Sequence, residues 1–333
     1  MAEAREVVLL PLNLQPDILL PSHMNSIALL FPGQGAQFVG MGREFFESSD
    51  PARSVFEKAN EILGVDLARV CFEGPEEKLT QTTWCQPALF THSLAALAAV
   101  RAAFPQLAFQ AAAGLSLGEF TALTAADWLS FEEGLKIVRR RGELMQQACE
   151  ATQGGMASIL AIELEPLRTV CAESDVDIAN LNCPGQIVIS GSKAGIEKAV
   201  ALAKEKGAKR AMPLTVAGAY HSRLMQSAAT QLAAALEPVS FQPSSIPVIS
   251  NVTAQSHDHP TLKQRLVEQV TSSVRWEESM RHLILQGFST FLELGPGEVL
   301  AGLMKRIDRS ATVLTIGKPA DLEKLQHLTP QHA

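Results

Sequence analysis

Residues 110–120 read QAAAGLSLGEF, and the five residues at 114–118 (GLSLG) decide how the chain folds around Ser116. A Gly-x-Ser-x-Gly pattern between an apolar segment and a helical one is typical of a sharp strand-to-helix turn, whose small flanking residues prevent clashes. The apolar segment 108–113 predicts the strand, and the apolar spacing after Ser116 predicts the helix. The pentapeptide alone also fits an ordinary glycine turn, so its surroundings decide the interpretation.

This turn would give Ser116 the surroundings of a nucleophile. The first N–H groups of the following helix lack intrahelical acceptors and lie at its positive end, so they stabilise negative charge on a carbonyl oxygen under attack. A serine hydroxyl also needs a general base. Among the eight histidines, His221 stands out because it follows the small-residue segment 217–220 (AGAY), where the chain returns from a predicted inserted domain. Junctions between domains often form clefts.

The other histidines offer weaker candidates. His92 lies in a nearly apolar helical segment, which favours a core histidine. His257 and His259 flank Asp258 in a polar segment, and a solvated loop is favoured over a metal site because no third strong ligand lies at useful spacing. No acidic residue lies in a clear strand-end turn before His221. A Ser-His dyad oriented by a backbone carbonyl is therefore simpler than a triad, and no metal site is predicted.

The order of predicted elements indicates an α/β fold with an insertion. Between residues 156 and 213 the patterns read β-α-β-β-α-β within about sixty residues, the split βαβ or ferredoxin-like order. We therefore predict an α/β-hydrolase-like large domain with an inserted ferredoxin-like small domain. The predicted parts are a disordered N-terminal extension (1–23), a discontinuous catalytic domain (24–150 and 214–320), the inserted domain (151–213) and a tail (321–333).

Composition excludes several classes of function. The 333 residues carry a net charge of -7, which argues against nucleic acid as a partner because phosphate binding needs a basic face. No run of about eighteen apolar residues occurs, so no membrane span is predicted. The five cysteines are odd in number, widely spaced and without a C-x-x-C pair, which favours a reducing cytoplasm over disulfides or a zinc site.

Three consecutive arginines at 139–141 end the polar face of a predicted helix. Such a run is usually a solvated stripe. One of the three, however, would lie where this helix packs beside the turn at Ser116. A buried guanidinium there would bind a planar carboxylate through two hydrogen bonds, which suits a substrate with a free acid at its far end.

Six stretches, in the same order, resemble the malonyl-CoA:acyl carrier protein transacylase family, and the resemblance covers about residues 25–316. The stretches are 31–37 (FPGQGAQ), 114–120 (GLSLGEF), 141–146 (RGELMQ), 182–186 (NCPGQ), 218–222 (GAYHS) and 292–297 (LELGPG).

The resemblance implies catalytic roles for five residues. Ser116 would be the nucleophile and His221 its base. The backbone N–H groups of Gln34 and Leu117 would form the oxyanion hole. The main-chain carbonyl of Gln269 would orient the histidine.

The resemblance also implies roles in binding. Arg141 would hold the malonyl carboxylate, and Gln86 and Asn182 would line the pocket. Lys209 and Arg210 match a basic site that docks the acidic carrier protein, a local positive patch that the overall charge does not reveal.

By this resemblance the protein would be an enzyme of fatty acid synthesis that moves a malonyl group from malonyl-CoA to acyl carrier protein through a malonyl-serine. It would act as a monomer. It would need no permanent cofactor, because CoA and phosphopantetheine enter as parts of the substrates. Three alternatives remain: an acyltransferase serving a polyketide synthase or malonate decarboxylase, an α/β-type esterase or thioesterase, and a silent partner that only binds acyl carriers.

Two positions depart from the family pattern. Leu115 stands where histidine is common, which predicts a drier pocket with the same chemistry. Tyr220 stands where phenylalanine is common, and its hydroxyl is expected to touch either substrate or water.

Overall fold

The structure, a computed structural model, describes residues 26–328; the predicted N-terminal extension and residues 329–333 of the predicted tail lie outside them. The strands are β1 (Ile27–Phe31), β2 (Ala111–Gly114), β3 (Gly154–Leu160), β4 (Val176–Cys183), β5 (Gln186–Ser192), β6 (Arg210–Pro213), β7 (Val248–Ile249), β8 (Thr290–Leu294) and β9 (Thr312–Ile316). The helices are α1 (Arg43–Ser48), α2 (Asp50–Leu63), α3 (Leu67–Glu73), α4 (Glu76–Leu79), α5 (Thr82–Ala103), α6 (Leu117–Ala125), α7 (Phe131–Thr152), α8 (Leu164–Ser174), α9 (Lys193–Glu205), α10 (Gln226–Leu236), α11 (Leu262–Glu268), α12 (Trp276–Leu285) and α13 (Val299–Ile307), with 3-10 helices at Arg223–Met225 and Pro319–Leu328.

A parallel sheet forms the centre of what we call the parallel-sheet region, residues 26–150 and 214–328. Its five strands lie in the order β7-β2-β1-β8-β9. In the register of β1 and β2, Phe31 is paired with Gly114. Because the carboxyl ends of parallel strands meet at one edge, the loop after Phe31 and the turn at Ser116 lie side by side.

A separate antiparallel sheet forms the antiparallel-sheet region, residues 154–213. Its strands lie in the order β4-β5-β3-β6, and an apolar cluster packs between the sheet and helices α8 and α9. Backbone hydrogen bonds join the two regions: the N–H of Val274 donates to Ala179, and the N–H of Leu181 donates to Val274. The small sheet is therefore held against the parallel-sheet region, and one wall of the site described below comes from it.

The C-terminal part differs from the sequence prediction. Residues 321–328, predicted to belong to a tail, instead form part of the 3-10 helix Pro319–Leu328. The spacing of three between Leu322, Leu325 and Leu328 places them on one side of such a helix, and they pack on the main core. Strand β9, which was not predicted, completes the parallel sheet beside β8.

All five cysteines are free and buried. Burial raises the pKa of the Cys71 thiol to about 12 and that of Cys149 to about 11. Within residues 26–328, none of the helices combines the length and apolarity that a membrane crossing requires. In the same range, no three His, Cys, Asp or Glu side chains are grouped closely enough to hold a metal ion.

Candidate active site

Ser116 occupies a strained turn between β2 and α6, with φ 53 and ψ -102. A Cβ on Gly114 would lie 1.9 Å from the backbone of Gly118, and a Cβ on Gly118 would lie 2.1 Å from the carbonyl oxygen of Phe31. Real Cβ atoms do not approach so closely, so both glycines are steric requirements of the turn. The two glycines of the Gly-x-Ser-x-Gly pattern are therefore required because β1, β2 and α6 pack closely beneath the serine.

Asn251 braces this turn from the far side. Its Oδ1 accepts the N–H of Ser116 at 2.7 Å, and its Nδ2 donates to the carbonyl of Gly114 at 2.8 Å. Such bonds offset the cost of an unfavourable backbone conformation. Asn251 was not among the predicted site residues, although polar residues directly after the short strand Val248–Ile249 indicate a strand-end site.

His221 lies against the Ser116 hydroxyl. Its Nε2 is 2.8 Å from Ser116 Oγ, and its Nδ1 is 2.8 Å from the carbonyl oxygen of Gln269. A carbonyl only accepts, so Nδ1 carries the proton and Nε2 is free to accept the serine O–H. Burial lowers the pKa of His221 to about 4, and the positive charge of Arg141 lowers it as well. The imidazole is therefore neutral at pH 7, the form that a general base requires.

Arg141 lies behind the serine and is 1% exposed. Its Nη1 donates to Gln86 Oε1 at 2.8 Å, and its Nη2 donates to Gln269 Oε1 at 2.8 Å and to Ser116 Oγ at 3.0 Å. The guanidinium lies 5.5 Å from the ring centroid of Phe120. Burial lowers its pKa to about 10, which leaves it positive at pH 7. Among the described residues, Nε of Arg141 is a buried donor without a partner.

The other two arginines of the run do not line the cavity: Arg139 is half-buried and Arg140 is exposed. Arg139 and Arg140 both form ion pairs with Glu143. Of the run 139–141, only Arg141 enters the site, and the sequence alone had left this choice open.

The two residues whose backbone N–H groups are predicted to form an oxyanion hole belong to segments next to the serine. A Cβ on Gly33 would approach the carbonyl of Leu115 to 2.5 Å, so the loop that carries Gln34 touches the turn. Leu117 is the first residue of α6, so its N–H has no intrahelical acceptor. Both Gln34 and Leu117 line the cavity above Ser116.

A cavity of about 530 Å³ opens between the two sheets. Ser116 and Gln86 line it from the parallel-sheet region, while Asn182, Met156 and Val188 line it from the antiparallel sheet. The Oδ1 of Asn182 is buried without a hydrogen-bond partner among the described residues. This volume is in the range of small-molecule sites, of about 300–1,000 Å³.

The two departures from the family pattern have defined places. Leu115 is half-buried, lines the cavity and packs against an apolar cluster. The Tyr220 hydroxyl is 2.6 Å from Thr82 Oγ1 and accepts from Gln34 Nε2 at 3.4 Å. The hydroxyl therefore has protein partners, whereas the sequence predicted contact with substrate or water.

Lys209 and Arg210 do not line the cavity. Both are exposed at the start of β6, where the N–H of Lys209 donates to Leu160 of β3. They belong to the same sheet that contributes Asn182 to the cavity wall.

The prediction of a solvated loop at His257 is wrong. Its imidazole is fully buried, and Nε2 lies 2.6 Å from Oε1 of the equally buried Glu119. The local sequence is polar, but the segment folds back on β7, where the N–H of His257 donates to Val248. The core position of His92 is confirmed, since that residue is fully buried.

This fold and site define a class of protein. Residues 28–319 match the family model of the acyl transferase domain, so the chain belongs to the acyl transferase domain family and is an acyltransferase.

Relatives within the family are more specific. The chain is 45% identical to the malonyl CoA-acyl carrier protein transacylase of Bacillus subtilis (strain 168), over 90% of this chain and 96% of that protein. It is similar to the crystal structure of malonyl-CoA:acyl carrier protein transacylase from Xanthomonas oryzae, with a TM-score of 0.87, 40% identity, and coverage of 91% and 98%. A malonyl-transacylase solved with a type II polyketide synthase acyl-carrier protein matches with a TM-score of 0.87, 35% identity, and coverage of 92% and 100%.

Proposed function

We propose that this protein transfers a malonyl group from malonyl-CoA to the phosphopantetheine thiol of an acyl carrier protein, through an ester on Ser116. The observation that carries the proposal is Arg141. It is a buried cation that lines the cavity, 3.0 Å from the serine hydroxyl, and its Nε–H donor has no partner among residues 26–328. A buried charge without a full set of partners is costly, and the carboxylate of a malonyl group would supply them.

The first half-reaction would load the serine. The carboxylate of malonyl-CoA binds Arg141, and Ser116 Oγ attacks the thioester carbon while its proton passes to His221 Nε2. The backbone N–H groups of Gln34 and Leu117 stabilise the oxyanion. The C–S bond then breaks, and the departing CoA thiolate takes the proton from His221.

The second half-reaction would reverse these steps with a new thiol. The phosphopantetheine thiol gives its proton to His221, and its sulfur attacks the malonyl ester. Ser116 Oγ leaves and regains the proton. CoA and phosphopantetheine act only as parts of the substrates, so the proposal includes no resident cofactor.

A dyad is proposed rather than a triad because a main-chain carbonyl holds the histidine. The Nδ1 of His221 contacts the carbonyl oxygen of Gln269, where a triad hydrolase places a carboxylate. The cavity between the two sheets would also shelter the ester from water, which favours transfer over hydrolysis.

We also propose that the fold is an α/β-hydrolase-like domain with a ferredoxin-like insertion. The elbow between β2 and α6 in a parallel sheet is the arrangement of an α/β-hydrolase-like domain. The order β3-α8-β4-β5-α9-β6 and the sheet order β4-β5-β3-β6 fit a ferredoxin-like insertion. We further propose that the protein acts in a reducing cytoplasm, because its five cysteines are free. We also propose that it is a monomer.

Intact-mass analysis tests the function. After mixing with malonyl-CoA, the protein should gain one malonyl group and lose it on addition of acyl carrier protein. Ser116→Ala should gain none, while Ser227→Ala, at an exposed position on α10, should behave as the unaltered protein. A malonyl adduct that persists in Ser116→Ala would refute the assignment.

The pathway served has a second candidate, favoured by the similarity to a malonyl-transacylase in complex with a polyketide carrier. Comparing transfer to carriers of fatty acid and polyketide synthesis distinguishes the two. We expect the higher kcat/KM with a fatty acid carrier, and a clear preference for the polyketide carrier would reverse the assignment.

A further inference from the structure

A buried pair, Glu119 and His257, lies behind the candidate active site. Both side chains are fully inaccessible to solvent, and His257 Nε2 is 2.6 Å from Glu119 Oε1. The other ring nitrogen of His257 has no hydrogen-bond partner among the described residues. The side chain of His257 therefore makes its one hydrogen bond to Glu119, and no role in the proposed reaction uses it directly.

Glu119 joins this pair to the site through its second oxygen. Oε2 accepts from Gln269 Nε2 at 2.6 Å and from the N–H of Asn251 at 3.2 Å. His257 Nε2 contacts the first oxygen, Oε1. An ionised carboxylate can only accept hydrogen bonds, and all three of these groups donate to it.

This arrangement fixes which way the amide of Gln269 faces. Its NH₂ group must point to Glu119 and to the carbonyl of Ser116, at 2.6 and 2.9 Å, because both are acceptors. Its Oε1 is then directed at Arg141, which donates to it at 2.8 Å. A turned amide would place two donors, Gln269 Nε2 and Arg141 Nη2, against each other.

Gln269 is also the residue whose backbone carbonyl orients His221. One residue therefore connects the acid-binding arginine and the general base to the buried pair. The chain of contacts runs from His257 through Glu119 and Gln269 to Arg141, and all four residues are buried.

We propose that His257 is a positioning residue that, through Glu119 and Gln269, holds Arg141 in the orientation that selects a malonyl group over an uncharged acyl group. This inference rests on the proposed function, since it assigns the selectivity of that same site. Loss of the His257 bond would free Glu119 to shift towards its other donors and would loosen the amide that aligns the guanidinium. The effect should fall on substrates with a carboxylate and spare those without one.

The test compares kcat/KM for malonyl-CoA with kcat/KM for acetyl-CoA. In His257→Leu we expect this ratio to fall about tenfold, the loss of roughly one charge-assisted contact. His257→Gln, which can keep an N–H near the position of Nε2, should retain most of the ratio. His259→Leu is the matched control, because His259 binds Phe241 and stacks on Trp128 away from the site; its ratio should not change.

A purely structural role gives a different result. If His257 only stabilised the fold, both substrates would lose activity by the same factor and the ratio would stay constant, which would overturn the proposal. Should His257→Leu fail to fold, Glu119→Gln decides: a side-chain amide there can present a donor to Gln269 and turn its amide, so the ratio should fall in the same way. An unchanged ratio in a folded Glu119→Gln would also overturn it.

Intact-mass analysis of the unaltered protein distinguishes failure of the proposed function from failure of the role proposed for His257. If the unaltered protein forms no malonyl adduct on Ser116, the proposed function fails. If it forms the adduct and the variants keep the unaltered ratio, only the role of His257 fails.

Discussion

The two sides of the cavity differ in how much of their functional surface is buried. On the parallel-sheet side, His221 and Arg141 are 4% and 1% exposed, and each has several hydrogen bonds to fixed partners. On the antiparallel-sheet side, Lys209 and Arg210, which the family resemblance implies as carrier-docking residues, are exposed. Groups that react need fixed geometry and little water, whereas groups that meet a protein partner must be accessible. We therefore expect substitutions of His221 or Arg141 to change the reaction itself. Substitutions of Lys209 and Arg210 should change only the encounter with the carrier protein.

The largest effect should come from Arg141→Ala on the buried side. Loss of the charge-assisted bonds to the malonyl carboxylate should lower kcat/KM for malonyl-CoA about 100-fold relative to acetyl-CoA. Steady-state kinetics with the two thioesters measure the ratio.

The matched control is Arg140→Ala, one residue away on the same helix but on the surface, where it pairs with Glu143. Its ratio should remain as in the unaltered protein. Equal selectivity in Arg141→Ala and Arg140→Ala would contradict the role of Arg141.

An intermediate effect is expected on the exposed side. If Lys209 and Arg210 dock the acidic carrier, as the family resemblance implies, the double variant Lys209→Glu and Arg210→Glu should raise KM for acyl carrier protein about tenfold, because like charges would then meet. Loading of Ser116 from malonyl-CoA, followed by mass spectrometry, should be unchanged.

The control for this variant makes the same change in net charge elsewhere. Lys58→Glu with Lys136→Glu alters two exposed residues on α2 and α7 of the parallel-sheet region. If this pair raised KM for the carrier equally, the effect would be one of overall charge and not of a docking site.

The smallest effect is that of low pH on the loading rate, and it tests how well His221 is shielded from solvent. With the pKa of His221 lowered to about 4 by burial, the base stays neutral well below pH 7. At pH 5 such a group is still about 90% neutral, whereas an ordinary histidine of pKa about 6.5 would be about 3% neutral. The rate of Ser116 loading should therefore change little between pH 7 and pH 5.

Stopped-flow loading at each pH measures this rate, with circular dichroism to confirm that the protein stays folded. Because His221 takes up fewer protons in the folded state than in the unfolded chain between about pH 4 and 6.5, its contribution to stability decreases as the pH falls through that window. A fall of about 25-fold in the loading rate from pH 7 to pH 5, in folded protein, would show that His221 titrates as an exposed histidine.

The same contrast explains what the sequence could predict. The turn at 114–118 was recognisable because its steric requirements are met within one short motif and one neighbouring strand. The exposed Lys209 and Arg210 were suggested only by resemblance, since surface charges leave no periodic pattern.

The buried partners of the site were harder to find. Asn251, Gln269 and His257 contact residues of the turn region from 135, 153 and 138 positions away in the sequence. No local pattern links such positions, so Gln269 came from the family resemblance, Asn251 was missed and His257 was placed in solvent. The C-terminal segment was missed for a similar reason: Leu325 is buried only because β9 and the core are already in place.

The burial of the five cysteines has a consequence for an enzyme that handles thioesters. An accessible thiolate would compete with the carrier for the acyl group, but here every thiol is buried and its pKa is raised above the ordinary value. In the folded protein, these five thiols are therefore protected from acylation by thioester substrates. Because the thiols are buried, alkylation measures unfolding: iodoacetamide should label only molecules that have unfolded locally or globally.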